Sequence, residues 1–147
     1  MKDTILIDID HTVSDAAWRD GLINERDWDN YHSQSKHDRP ASDVVDFVKQ
    51  LSLSYNVYGL TSRPEKWRQL TCGWCVEHQV SLEYILMRPN DCYLPSPECK
   101  LRIVEREFGP DWRDKVLMVL DDRDDVTQAF NREGITTLQV KGRQYDR

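Results

Sequence analysis

The stretch TILIDIDHTVSDA, residues 4–16, sets two carboxylates, Asp8 and Asp10, at the end of an apolar run. Ile5, Leu6, Ile7 and Ile9 make a short, nearly continuous apolar block, the pattern of a strand covered on both faces. Such strands belong to parallel sheets sandwiched by helices, where ligands collect outside the carboxyl ends of the strands. Asp8 and Asp10 are two residues apart and are expected on one face at that end. An acidic loop of no special purpose would look the same in isolation, so the rest of the chain has to decide.

The chain has 147 residues, which fits one domain with a real core but not a core plus a large second domain. A formal net charge of −6 lacks the basic field needed to grip long duplex DNA, and leaves a short nucleic-acid end or a small anion as partner. The longest apolar runs, at 5–7 and 116–120, are far too short to span a bilayer, and the first residues lack a signal-peptide core. The expectation is a soluble cytoplasmic protein with no membrane partner. Cys72 and Cys75 form CGWC, while Cys92 and Cys99 follow at wider spacing. A CxxC serves as a redox pair or as half of a zinc site. This one falls about two turns into a helical pattern that starts near Pro64, whereas redox pairs use a helix N-terminus. Buried packing is the expected role, with zinc and redox chemistry as the alternatives.

Strands and helices alternate along the chain, which predicts an α/β fold with a mainly parallel sheet and helices on both faces. A helix is expected from about Ser42 to Leu53, with Val44, Val45, Phe47, Val48 and Leu51 on its buried face. YNVYGL (55–60) reads as a strand ending at Thr61, Ser62 and Arg63, with Pro64 as first residue of the next helix and Ser62 available to cap it. That helix carries Trp67, Leu70 and Trp74 at core spacing. YILM (84–87) is a third strand, followed by a proline-rich loop and a helix opened by Ser96 and Pro97, with Lys100 in its first turn. KVLMVL (115–120) is a strand that stops at Asp121 and Asp122; Asp124 or Asp125 is expected to cap the helix after it. TTLQV (136–140) supplies the last strand after a turn at Gly134.

Three strands therefore end in chemistry-bearing groups. Two carboxylates about 4 Å apart repel by roughly 4 kcal/mol at an effective dielectric near 20, so Asp8, Asp10, Asp121 and Asp122 converging in one place need compensation. All-oxygen ligands suit a hard divalent ion such as Mg2+, which bridges carboxylates to phosphate oxygens. Lys100 opposes the dipole of its own helix, which implies an anion beside it. With Thr61 and the helix N-terminus after it, Lys100 would hold phosphate oxygens. Phosphoryl transfer is the chemistry suggested.

These residues resemble the haloacid dehalogenase (HAD) superfamily of phosphohydrolases. DIDHT is similar to its motif I, DxDxT; Thr61 after VYGL to motif II; Lys100 to motif III; and VLDDRDD to motif IV. Within it, DWDNYH, LTSRPE, MRPNDCYLPSPECK and LDDRDDV resemble the 3'-phosphatase domain of phage polynucleotide kinase-phosphatase and its stand-alone phage and bacterial relatives. The resemblance implies a Rossmann-like HAD fold forming one domain over 1–147, with only a small cap segment at about 11–41. It implies that Asp8 attacks phosphorus and that Asp10 serves as acid and then base. Mg2+ would be held by Asp8, the carbonyl of Asp10, and Asp121 and Asp122. Thr61 and Lys100 would hold the phosphoryl group, and Arg19, Arg63 and Ser62 would bind substrate. His11 stands where the family has glycine, and Ser96 or its neighbours stand where an acid often precedes the lysine. Cys75 replaces a leucine in the relatives' WLxxH pattern, which favours a core role.

A small cap leaves the site open to a polymer end, so a Mg2+-dependent phosphomonoesterase acting on a nucleotide or nucleic-acid 3'-phosphate is the leading expectation. A 5'-nucleotidase for nucleoside monophosphates would use the same chemistry, and a catalytically silent HAD-fold binding module is the reading from another class. Trp18, Trp28 and Tyr31 are read as packing residues or as a platform for a base. His32, His37, Lys36 and Arg39 are read as a solvated rim. Whether the chain forms a homo-oligomer is left open.

Overall fold

The computed structural model describes residues 1–141. In chain order its elements are β1 (Thr4–Ile7), β2 (Ser14–Asp15), α1 (Gly21–Asn24), α2 (Trp28–Ser33), β3 (Arg39–Pro40), α3 (Ser42–Leu51), β4 (Asn56–Pro64), α4 (Arg68–Glu77), β5 (Tyr84–Arg88), α5 (Ser96–Phe108), β6 (Val116–Asp121), α6 (Asp124–Arg132) and β7 (Thr136–Gln139). Five strands form one sheet in the order β5-β4-β1-β6-β7, and every neighbouring pair is parallel. β2 and β3 pair antiparallel as a separate ribbon inside the 11–41 segment. None of the described helices is long and apolar enough to cross a membrane.

The order of strands explains where a ligand can sit. From β1 the chain steps to β4 and then β5, and afterwards returns past β1 to β6 and β7. Connections between parallel strands are right-handed, so reversing the direction of travel moves the helices to the opposite face. One face accordingly buries Val45 and Val48 of α3 and Trp74 and Cys75 of α4 against Ile5, Ile7 and Ile9. The other buries Cys99, Ile103 and Val104 of α5 and Val126 and Phe130 of α6 against Leu6. The apolar block that opens the chain serves both cores, because alternate side chains of a strand point to opposite faces. The winding reverses at β1, and the crevice that opens there lies at its carboxyl end.

Several local expectations are corrected. β4 continues through Pro64, which has extended backbone (φ −62°, ψ 149°), and a 3-10 turn at Glu65–Trp67 intervenes before α4. Pro64 therefore ends a strand rather than opening a helix, and Ser62 lies within that strand and caps nothing. The cap position of α6 is Arg123; Asp124 and Asp125 occupy the first turn, where carboxylates still suit the helix dipole. Phe47 is 45% exposed, so the buried side of α3 is carried by Val45 and Val48. CGWC lies inside α4, as expected, with Cys75 buried.

Trp74 is 2% exposed, and its indole Nε1 donates to the carbonyl of Asp38 at 3.0 Å, tying α4 to the 11–41 segment. Trp74→Ala is expected to cost about 3 to 5 kcal/mol, from the lost apolar contacts and the orphaned carbonyl. Urea unfolding of the purified variant checks this.

Candidate active site

The end of β1 delivers the first acid. Asp8 N–H donates to the carbonyl of Leu120 at 2.9 Å, which extends the pairing of β1 with β6 and brings Asp8 alongside Asp121. Lys100, the fifth residue of α5, reaches between them while only 2% exposed. Its Nζ donates to Asp8 Oδ1 at 3.0 Å and to Asp121 Oδ2 at 2.6 Å. Asp8 Oδ2 accepts from Thr12 Oγ1 at 3.0 Å, and Asp121 Oδ1 accepts from the Arg123 N–H at 3.0 Å. Asp8, Asp121 and Asp122 each offer a carboxylate oxygen within 4.8 Å of the others. The anion expected beside Lys100 is thus a pair of carboxylates.

The carboxylate of Asp10 does not join that set: β1 ends at Ile7, so strand alternation fixes the direction of neither acid. The carboxylate of Asp10 instead meets two arginines. Arg63, from the end of β4, donates from Nε to Oδ2 at 3.1 Å and from Nη2 to Oδ1 at 2.7 Å. Arg19 Nη2 also donates to Oδ1. Both arginines are 1% exposed, and both have further partners. Arg19 donates to Asp38 at 2.9 and 2.7 Å and to the Tyr31 carbonyl at 3.1 Å, with its guanidinium 4.3 Å from the centre of the Tyr31 ring. Arg63 Nη1 donates to Thr71 Oγ1 at 3.1 Å.

The two clusters differ electrically. Burial works to raise the pKa of Asp10, but the charges and hydrogen bonds of Arg63 and Arg19 hold it well below the usual carboxylate range. Burial raises Asp121 and Asp122 above that range, Asp8 adds to the effect, and Lys100 offsets only part of it. Burial would lower Lys100, yet Asp121 and Asp8 more than reverse this and keep it charged. Around Asp10, two arginines balance the carboxylates of Asp10 and Asp38. Around Asp8, one lysine faces three carboxylates. With all three ionised, the all-oxygen cluster exceeds Lys100 by two negative charges, an excess that fits one hard divalent cation such as Mg2+. The side chain of Asp10 is not in this set.

The remaining expected residues fall around these clusters. Thr61 is buried two residues beyond Gly59, the register partner of Ile7, so it lies at the same carboxyl edge of the sheet. Its Oγ1 accepts from the Arg63 N–H at 3.1 Å. Ser62 Oγ lies 2.5 Å from Ser96 Oγ, which ties β4 to the first residue of α5. His11 has φ 63°, the left-handed conformation that glycine adopts without strain, and its Nε2 lies 3.0 Å from Asp20 Oδ1. His32 is not on the rim: it is buried among Trp28, Tyr31 and Trp67, and burial lowers its pKa to about 4. Lys36, His37 and Arg39 are exposed, as expected. Tyr31 is buried, whereas Trp18 and Trp28 remain about half exposed at 53% and 50%.

Asp38 was missed by sequence reasoning, although it holds Arg19 through both carboxylate oxygens and accepts from Trp18 Nε1 at 2.9 Å. It sits in SKHDRP, a polar run with no periodicity, and the only available hint was that a buried Arg19 would need an acid. Thr12 as a hydrogen-bond donor to Asp8 was also not singled out. The acid cluster is the one group of three or more metal-ligating side chains among the described residues, so the cysteines do not join one. Burial pushes the Cys75 thiol up to about 12, which leaves it protonated and unreactive.

The model of the polynucleotide kinase PNKP phosphatase domain matches residues 2–145. Among solved structures, a chain of the Pnkp1/Rnl/Hen1 complex is similar with a TM-score of 0.76 and 25% identity, over 95% of this chain and 46% of that one. A chain of the Pnkp1/Rnl/Hen1 RNA repair complex gives 0.77 at 25% identity, over 95% and 42%. This chain therefore spans less than half the length of those relatives. The HAD-hydrolase YfnB from Bacillus subtilis, bound to magnesium, gives 0.65 at 11% identity over 92% and 85%, a likeness of fold alone. No curated protein matches the chain.

Removing one member of a buried ion pair strands the other, at a cost of several kcal/mol. Asp38→Ala is expected to destabilise the protein by about 3 kcal/mol, read as a lower urea midpoint at unchanged slope. A neutral result would detach Asp38 from the support of Arg19.

Proposed function

The chain belongs to the polynucleotide kinase PNKP phosphatase-domain family and is a HAD phosphatase, and from that premise we propose that it removes the 3'-phosphate from nucleic-acid ends with Mg2+ as cofactor. The observation that carries the reading is the meeting of Asp8, Lys100 and Asp121 beside Asp122, at the strand end where the winding of the sheet reverses. The family description and the similarity to a chain of an RNA repair complex support a nucleic-acid end as substrate.

Asp8 is the nucleophile. One of its carboxylate oxygens forms a bond to phosphorus while the bond from phosphorus to the ester oxygen breaks, giving an aspartyl-phosphate. Thr12 and Lys100 fix its carboxylate in place. Lys100 and Thr61 hold the phosphoryl oxygens. Asp8, Asp121 and Asp122, with the Asp10 carbonyl, would hold Mg2+, which supplies charge neutralisation for an anionic substrate.

Asp10 gives a proton to the leaving alcohol and then takes one from the water that attacks phosphorus and frees Asp8. Its setting constrains that role. Arg19 and Arg63 favour the ionised form, so Asp10 is ready as the base and must be released to serve as the acid. A phosphate arriving beside the two guanidiniums draws them partly away, since planar forks suit phosphate as well as carboxylate. Arg19 and Arg63 thereby bind the substrate and set the proton affinity of Asp10 together.

Asp8→Asn keeps the shape of the site and removes the nucleophile, so phosphate release should vanish while circular dichroism is unchanged. Release from a 3'-phosphorylated oligonucleotide is expected to exceed release from 3'- or 5'-mononucleotides and to stop with EDTA. Preference for 5'-mononucleotides would replace the proposal with a nucleotidase. Mg2+ should also raise the thermal midpoint of the wild type, and raise it less in Asp122→Asn, because a ligand that binds only the folded state stabilises it.

A further inference from the structure

Two thiols outside this machinery touch one another. Cys92 lies in the loop between β5 and α5, and its Sγ is 3.5 Å from the Sγ of Cys99, in the first turn and a half of α5. Neither is in a disulfide. Cys99 is 0% exposed and belongs to the core under α5, whereas Cys92 is only half-buried. Cys92, Tyr93, Leu94, Arg102 and Ile103 line a cleft of about 590 Å³ that gives a small solute access to the pair. The loop is held by Arg88, whose Nη1 donates to the carbonyls of Cys92 and Leu94 at 3.1 and 2.6 Å.

We propose that Cys92 and Cys99 form a peroxide-oxidisable dithiol, a modification site that fastens the loop after β5 to the helix that carries Lys100. The two sulfurs play different parts. The backbone N–H of Leu94 lowers the pKa of Cys92, and Cys99, Arg88 and Arg102 act in the same direction. Burial raises Cys99 to about 11. Cys92 therefore supplies the thiolate that meets the oxidant, and Cys99 resolves the product.

In the first step the Cys92 thiolate bonds to one peroxide oxygen, the O–O bond breaks, and the other oxygen leaves as hydroxide. That hydroxide takes the Cys99 proton. The Cys99 sulfur then attacks the sulfenic sulfur, the S–O bond breaks, and the departing hydroxide is protonated to water. The protein loses two hydrogens and the peroxide becomes two waters. A disulfide needs about 2.05 Å between sulfurs, so the pair must close by about 1.5 Å. Cys99 is fixed in the core, and the loop, with Tyr93 91% exposed at its tip, takes up the movement.

CGWC is the competing pair. Its Cys75 is buried and its thiol is raised to about 12, so Cys75 itself offers the oxidant no thiolate.

The test treats the full chain with a few equivalents of hydrogen peroxide, alkylates, digests and weighs the peptides. A peptide linked through Cys92 and Cys99, two hydrogens lighter and separated by a dithiol reductant, is expected. Titratable thiols in the denatured protein should fall from four to two. Deuterium uptake over residues 91–94 should slow on oxidation and recover on reduction. Cys92→Ser should give no linked peptide and keep all three of its thiols. Conversion of Cys92 to a sulfinic acid without linkage, or a linkage between Cys72 and Cys75, would overturn the proposal.

Discussion

One ammonium group, Lys100 Nζ, stands between two buried carboxylates at the end of the central strand, and the rest of the site is arranged around its inability to neutralise everything nearby. A lysine emerging early on a helix is in the wrong place for its own dipole, by about 0.3 to 1 kcal/mol. Here that small penalty is outweighed by contact with two anions in a low-dielectric setting. With Asp122 ionised as well, the three carboxylates exceed Lys100 by two charges, an excess that protonation or a further cation relieves.

The topology is what makes such crowding affordable. β1 lies at the middle of the sheet, so the residues just past its end can be met by groups from β4 on one side and β6 on the other. α5 enters from above one face with Lys100. Four stretches distant in sequence thereby share a small volume without any long loop having to reach across it.

Most of this frame was legible because it rests on short-range rules. The apolar block at 5–9 announces a doubly covered strand, and the polar stops after β1, β4 and β6 announce a common edge. What escaped notice depends on tertiary demand. Pro64 looked like a helix start, but the pairing of β4 with Arg88 of β5 holds it extended. His32 looked like part of a solvated rim, but aromatic rings from α2 and from the turn before α4 enclose it. Asp38 carried no local signal, since its importance is created by a guanidinium that is nineteen positions away in sequence. Likewise the parity argument for Asp8 and Asp10 was sound only while the strand lasted, and β1 ends at Ile7, before either acid.

Asp38 has a wider meaning than support. Its carbonyl is anchored by Trp74 of α4, and its carboxylate shares Arg19 with Asp10. A displacement of Asp38 would therefore alter how tightly Arg19 grips Asp10. Under the mechanism proposed above, docking and proton delivery would in this way be mechanically geared: a poor guest would leave the acid idle, and a well-seated one would set it in motion.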